Sequence, residues 1–375
     1  MLKKFEVMNF KGFKDKLVFD LSARDYTFNS SLVKNGIVNK AIIYGRNGIG
    51  KSSLGIAMFD IVSHLTDKQR MNNKYLLNYR NLDCGDALVQ FKYYFQFGDD
   101  EVVYAYAKED QDTLIKETLT INGELIVDYR FNSFSDEKDG KVDMRYVNRN
   151  YIGDLNIDLP DNKLSVIKYI YRNTPTDTVP GITKMVRFCE GMLWYRSLSD
   201  GNSYAGFTNG TSTLTDMIYN SGKLSEFSDF LKDNGLHYEL SFEERDGEHV
   251  LLAVFNNGKV PFVSIASTGT AALLLFFAWS ITAFNQISML FIDEFDAFFH
   301  YESAESIVKR LNSANGFQTF LTTHNTYLMQ NRLTRPDCCY IMTNNKISNL
   351  YEATDKEIRE AHNLEKMYIN GAFRE

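Results

Sequence analysis

Eight consecutive residues, Gly45-Arg46-Asn47-Gly48-Ile49-Gly50-Lys51-Ser52, have the types and spacing of a phosphate cradle: glycine, four residues, then Gly-Lys-Ser. Glycines let backbone N–H groups turn inward around a polyphosphate, and a helix starting there adds the partial positive charge of its N-terminus. In such a loop Lys51 reaches the β- and γ-phosphates of a nucleoside triphosphate, the Ser52 hydroxyl ligates Mg2+, and Ser53 continues the helix start. The context agrees. Ala41-Ile42-Ile43-Tyr44 before the loop reads as a strand, and Ser53-Leu54-Gly55-Ile56-Ala57-Met58-Phe59 after it reads as a helix.

Further along, Met289-Leu290-Phe291-Ile292 runs into Asp293-Glu294. A buried strand that delivers two carboxylates at its C-terminal end puts them where α/β sheets bind ligands. There Asp293 serves the Mg2+ shell and Glu294 polarises an attacking water as general base. Thr319-Phe320-Leu321-Thr322-Thr323-His324 is a second apolar strand, ending at an imidazole able to hydrogen-bond a γ-phosphate. Ser264-Ile265-Ala266-Ser267-Thr268-Gly269-Thr270 opens a long apolar helix. Such a run is first an N-cap; read functionally, Ser267 and Gly269 form a second phosphate-binding helix start. With the P-loop filling its own site, that second start would serve the nucleotide of another subunit.

Bulk properties narrow the class. With 375 residues and 44% hydrophobic content the chain can bury a large core. Its formal net charge of −7 excludes a uniformly basic nucleic-acid surface, though not a local basic patch. Cys84, Cys189, Cys338 and Cys339 show neither CxxC spacing nor partner histidines, which argues for reduced core thiols in a cytoplasmic protein. The N-terminus lacks the apolar run of a signal peptide. The apolar stretch 271–284 is broken by Asn285-Gln286, short of the ~20 residues of a membrane span, so a buried helix and then a buried strand are expected.

The pattern predicts strands over 1–44, an antiparallel sheet over 87–131 with turns at Gly98-Asp99-Asp100 and Asn122-Gly123, and a loop at 135–143. Helical spacing follows over 163–235, including Ile182 to Tyr195 and Thr213 to Leu231. Strands resume from Tyr238 to Phe255 around Asp246-Gly247. The expected organisation is one ATPase domain over 1–375, with an inserted antiparallel β subdomain at 87–131 and a helical lobe at 155–240. A third part, 241–375, carries the Ser267 segment, the Asp293-Glu294 strand and the His324 strand. No heptad array is present.

In this order the motifs resemble the ABC-type ATPase head, and within that class the RecF/SMC-like AAA-family ATPases of bacterial phage-defence and abortive-infection systems. Asn9-Phe10-Lys11-Gly12-Phe13, Ala266-Ser267-Thr268-Gly269-Thr270, the segment from Phe291-Ile292-Asp293-Glu294 to His300, Leu321-Thr322-Thr323-His324-Asn325 and the tail 357–366 carry the resemblance. It implies an α/β ABC-ATPase head: a P-loop nucleotide fold with an inserted antiparallel β-sheet and a helical subdomain, without a long coiled coil. Lys51 and Ser52 become Walker A, Asp293 and Glu294 Walker B, His324 the switch histidine, and Ser267 and Gly269 a signature acting in trans. Asp296 falls in the segment facing the opposing subunit. No Q-loop glutamine stands out; Gln90 and Gln96 read as polar residues on an exposed sheet face.

The resemblance also implies ATP and Mg2+ as ligands, a homodimer or higher homo-oligomer formed through ATP, and slow turnover. It further implies a separately encoded effector of the TOPRIM nuclease type, since 375 residues ending soon after the ATPase motifs leave no room for one, and no membrane contact. The alternative is a DNA-repair ATPase of RecF type gripping duplex DNA directly, for which the lysines at 3, 4, 11, 14 and 16 are the basis. A transporter subunit and a cis-acting P-loop kinase fit the motifs less well.

Overall fold

The computed structural model describes every residue except 69, 86, 132–144, 158, 160–162, 198–203, 208–211, 246, 345 and 374–375. The loop expected at 135–143 and the Asp246 half of the Asp246-Gly247 turn therefore lie outside the described residues.

Four strands buried at almost every position form the parallel centre of one sheet. In spatial order they are Met192–Arg196, Met289–Asp293, Gln318–Thr323 and Lys40–Tyr44, followed by Cys339–Thr343, also parallel to the last. Antiparallel edge strands Tyr204–Gly206 and Lys346–Asn349 close the two sides. Parallel strands covered on both faces are buried at nearly every position, and the two cores divide their apolar residues by parity. Ala41, Ile43, Trp194, Phe291, Phe320 and Tyr340 enter one core. Ile42, Tyr44, Leu193, Tyr195, Leu290, Ile292 and Leu321 enter the other.

A seven-stranded antiparallel sheet covers the first face. It includes the expected hairpins, Val89–Phe97 with Asp100–Lys108 and Leu114–Ile121 with Glu124–Arg130, the latter turning at Asn122 and Gly123, both with positive φ. Its register continues into the N-terminal strands Leu2–Met8 and Leu17–Asp20. The chain start is thus part of the lateral sheet, and only Lys40–Tyr44 leads into the P-loop from the central one.

The second face is covered by helices. Thr268–Thr282, nine of whose residues are buried, packs with Leu214–Ser221 and Leu224–Asp233. No described helix is long and apolar enough to cross a membrane. Two expectations over 163–235 change. Ile182 to Tyr195 is not one helix: helix Pro180–Glu190 stops at Gly191, and strand Met192–Arg196 enters the central sheet. The stretch expected as a helical lobe at 155–240 therefore contributes two strands, Met192–Arg196 and Tyr204–Gly206, to the nucleotide-fold sheet. Thr213 to Leu231 likewise forms two helices, divided at Gly222 with φ of 68°.

Candidate functional site

The loop after Lys40–Tyr44 gains its shape from two glycines in the left-handed region, Gly48 at φ 79° and Gly50 at φ 106°. A side chain at Gly50 would also stand 3.0 Å from the Phe13 ring, so the Asn9–Phe13 segment lies directly under the loop. Helix Lys51–Met58 starts at this point with Gly50 as its N-cap. Arg46, Asn47 and Gly48 are exposed, Ile49, Gly50, Ser52 and Ser53 half-buried, and Gly45 and Lys51 buried. The Lys51 ammonium donates to the Gly45 and Arg46 carbonyls at 2.6 and 3.0 Å. Burial lowers its pKa, and the nearby charges of Asp293, Glu294 and Asp296 oppose that shift.

Those acids stand at the end of the strand two places away. Asp293 is fully buried; Thr322 Oγ1 donates to its Oδ1 at 2.7 Å, while Oδ2 has no hydrogen-bond partner. Burial raises the Asp293 pKa, against the Ser52 and Thr322 hydroxyls and the Arg196 guanidinium, which favour the carboxylate. Glu294 turns the chain at φ 50°, and its N–H donates to the same Thr322 hydroxyl at 2.8 Å. The next threonine repeats the device: Thr323 Oγ1 donates to Asp296 Oδ2 at 2.8 Å, leaving Oδ1 buried and unpaired. Burial raises the Asp296 pKa too. His324 follows directly after this strand and is exposed.

The P-loop, Asp293, Glu294 and His324 thus meet at the C-terminal ends of neighbouring parallel strands. The Asp293 carboxylate, with one oxygen lacking a hydrogen bond, and the Ser52 hydroxyl beside it form a hard-donor pair that suits Mg2+. No cluster of three or more His, Cys, Asp or Glu suited to a metal occurs among the described residues.

Ser267 and Gly269 lie at the start of helix Thr268–Thr282. Ser267 caps helix Thr268–Thr282 by accepting from the Thr270 N–H at 3.2 Å and is itself exposed. A side chain at Gly269 would meet the Phe298 carbonyl at 2.8 Å, so this helix start leans on the segment after the acid strand. Phe298 in that segment is exposed, as are Val263 and Ile265 shortly before Ser267 in the chain. Gln90 and Gln96 lie on the antiparallel sheet: Gln90 stands opposite Met8 and Ala107, and Gln96 donates to the Gly98 carbonyl.

Two participants carried no signal in the sequence reading. Thr322, which serves both acids, stands in a strand and motif that give it no role of its own in the sequence. Arg196 ends the strand beside the acid strand, in register with Asp293. Its guanidinium binds Glu294. Only the sheet order reveals it.

The sequence profile of a family described as "AAA domain, putative AbiEii toxin, Type IV TA system" matches residues 40–330. Among solved structures the chain is similar to the SMC head domain from Thermotoga maritima, at 15% identity over 93% of this chain and 98% of that one, with a TM-score of 0.41. It is similar to the Smc head domain with an extended coiled coil, bound to the C-terminal domain of ScpA, from Pyrococcus furiosus. There the identity is 12% over 94% of this chain and 97% of that one, with a TM-score of 0.47. A structure of the recombination mediator protein RecF is similar at 14% identity over 93% and 98%, with a TM-score of 0.37. No protein of curated function is similar enough in sequence to count as a match.

Proposed function

The chain belongs to the AAA-domain family of AbiEii type whose profile spans residues 40–330, and from that premise we propose that it binds and hydrolyses ATP as a nucleotide-dependent switch. The observation that carries this reading is the convergence of Lys51, Ser52 and the half-satisfied Asp293 carboxylate at one end of the parallel sheet. The loop N–H groups at Gly45–Ser52 and the start of helix Lys51–Met58 hold the phosphates. Lys51 exchanges its loop carbonyls for phosphate oxygens. Ser52 and Asp293 would hold Mg2+, which would supply charge neutralisation on the phosphates. Glu294 orients and deprotonates the attacking water, and His324 bonds the γ-phosphate.

The site is completed in trans. Ser267 is exposed at the start of a helix that leans on the segment of exposed Phe298, which supports contact with the nucleotide of a second copy. Two copies then enclose two ATP molecules, and hydrolysis releases them. The output is a defence response carried by a separately encoded effector, of which a TOPRIM-type nuclease is the leading kind. The family's description as a toxin of a type IV toxin–antitoxin system supports a regulatory rather than a metabolic role. Direct DNA binding by the N-terminal lysines is less well supported: Lys3 pairs with Glu101, Lys4 and Lys16 with Glu6, and Lys11 with a carbonyl.

The test is ATP turnover with Mg2+ in wild type, Lys51→Ala and Glu294→Gln. The reading expects Lys51→Ala to lose nucleotide binding. It expects Glu294→Gln to retain binding while turnover falls about 10²–10⁴-fold, the usual contribution of a general base. Wild-type turnover indistinguishable from Glu294→Gln would overturn it.

A further inference from the structure

The guanidinium of Arg196 is fixed on the carboxylate read above as the general base. Its Nε and Nη2 both donate to Glu294 Oε2, at 3.1 and 2.5 Å, and Nε stands 3.6 Å from Asp293 Oδ2. One cation therefore faces both acids of the motif.

Three features of the fold bring this about. Strand Met192–Arg196 runs parallel to Met289–Asp293 with Arg196 opposite Asp293, and the Ser197 N–H donates to the Asp293 carbonyl at 3.2 Å, so the strand end is fastened at this level. Glu294 adopts a left-handed backbone, uncommon for a residue with a side chain, and its N–H is tied to Thr322 Oγ1. The Glu294 and Arg196 side chains are 34% and 27% exposed, so the pair sits at the mouth of the site rather than in the core. An ordinary surface ion pair of two long side chains contributes little because both must be ordered. Here a strand end and a tight turn restrict both partners beforehand.

A general base needs one oxygen fixed towards the water it activates. Glu294 stands beside Asp293 and near Asp296, and repulsion from those charges would swing an untethered carboxylate out to solvent. Resting on the reading of Glu294 as the water-orienting group, we propose that Arg196 is its positioning residue: it anchors Oε2 so that Oε1 is presented to the attacking water. Arg196 then acts through Glu294 and not on the nucleotide. Lysine at this place would keep the charge but lose the forked pair of donors.

The experiment is a double-mutant cycle on the full-length protein. Single-turnover rates, kcat and KM for ATP, and affinity for the fluorescent analogue mant-ATP are measured for wild type, Arg196→Ala, Arg196→Lys, Glu294→Gln and Arg196→Ala/Glu294→Gln. The expected result is a kcat loss of about 10–100-fold in Arg196→Ala, in the range of a misplaced catalytic group. Arg196→Lys falls between the two, mant-ATP affinity and thermal midpoint stay near wild type, and Arg196→Ala adds no loss to Glu294→Gln. Equal losses in both backgrounds would show Arg196 acting independently of Glu294 and overturn the proposal. So would an unchanged kcat in Arg196→Ala, or a loss matched by weaker mant-ATP binding and a lower midpoint. If Glu294→Gln itself leaves turnover unchanged, the reading of Glu294 fails first, and that result is distinct from the others.

Discussion

A single hydroxyl, that of Thr322, orders both acids of the site: it donates to Asp293 Oδ1 and accepts from the Glu294 N–H. Replacing it by the near-isosteric valine leaves two polar groups unpaired, each costing about 1–3 kcal/mol when buried. Thr322→Val should lower the thermal midpoint and kcat together, while Thr322→Ser, which keeps the oxygen, should lie close to wild type. Equal behaviour of the two in denaturation and turnover assays would remove Thr322 from the account. At Gly50 the constraint is the backbone. With φ at 106° and the Phe13 ring in the path of a Cβ, Gly50→Ala should abolish mant-ATP binding, whereas Gly12→Ala, with open space at its Cβ, should bind. The P-loop and the Asp293-Glu294 pair were legible in the sequence because their meaning is contiguous. Arg196 and Thr322 were not, because their role depends on which strands the sheet places side by side.

At the scale of elements, strand Met192–Arg196 shows why the sequence misled. Met192-Leu193-Trp194-Tyr195 is buried on both sides, so it lacks the alternation that marks a strand, and its apolar run extends the spacing of helix Pro180–Glu190. The P-loop strand carries a different anomaly at its far end. Lys40 is buried, donates to the Phe317 carbonyl and Thr319 Oγ1, and burial lowers its pKa from 10.5 to about 7. Between those two values the unfolded chain holds the proton that the folded chain has lost, so stability gains from this group as pH rises across that window. Lys40→Met should flatten that rise, which denaturant unfolding at pH 7 and pH 10 would reveal as a smaller difference than in wild type. An unaltered difference would contradict the shifted lysine. Where helix Lys51–Met58 crosses the acid strand, a Cβ at Gly55 would stand 2.6 Å from the Phe291 ring. Gly55→Ala should therefore cost about 1–3 kcal/mol by overpacking, seen as a lower midpoint, and an unchanged midpoint would show that the ring yields freely.

For the molecule as a whole, two cores split by the parity of the central strands make the parallel sheet a rigid frame, and the site occupies one end of it. The covering antiparallel sheet was readable from its alternating period, and the α/β class from the P-loop and acid-strand motifs and the resemblance they carry. Recruitment of the N-terminal strands into the lateral sheet was not, since pairing between residues so far apart in sequence leaves no local mark. The central claim is that exposed Ser267 and half-buried Gly269, at the start of helix Thr268–Thr282, complete the ATP site of another copy. The most direct measurement is the native mass of Glu294→Gln protein by light scattering, with and without Mg-ATP. The account predicts an ATP-dependent increase to at least a dimer, abolished by Ser267→Arg with the monomer still folded and binding mant-ATP. A mass that ATP leaves unchanged, or an increase that survives Ser267→Arg, would contradict it.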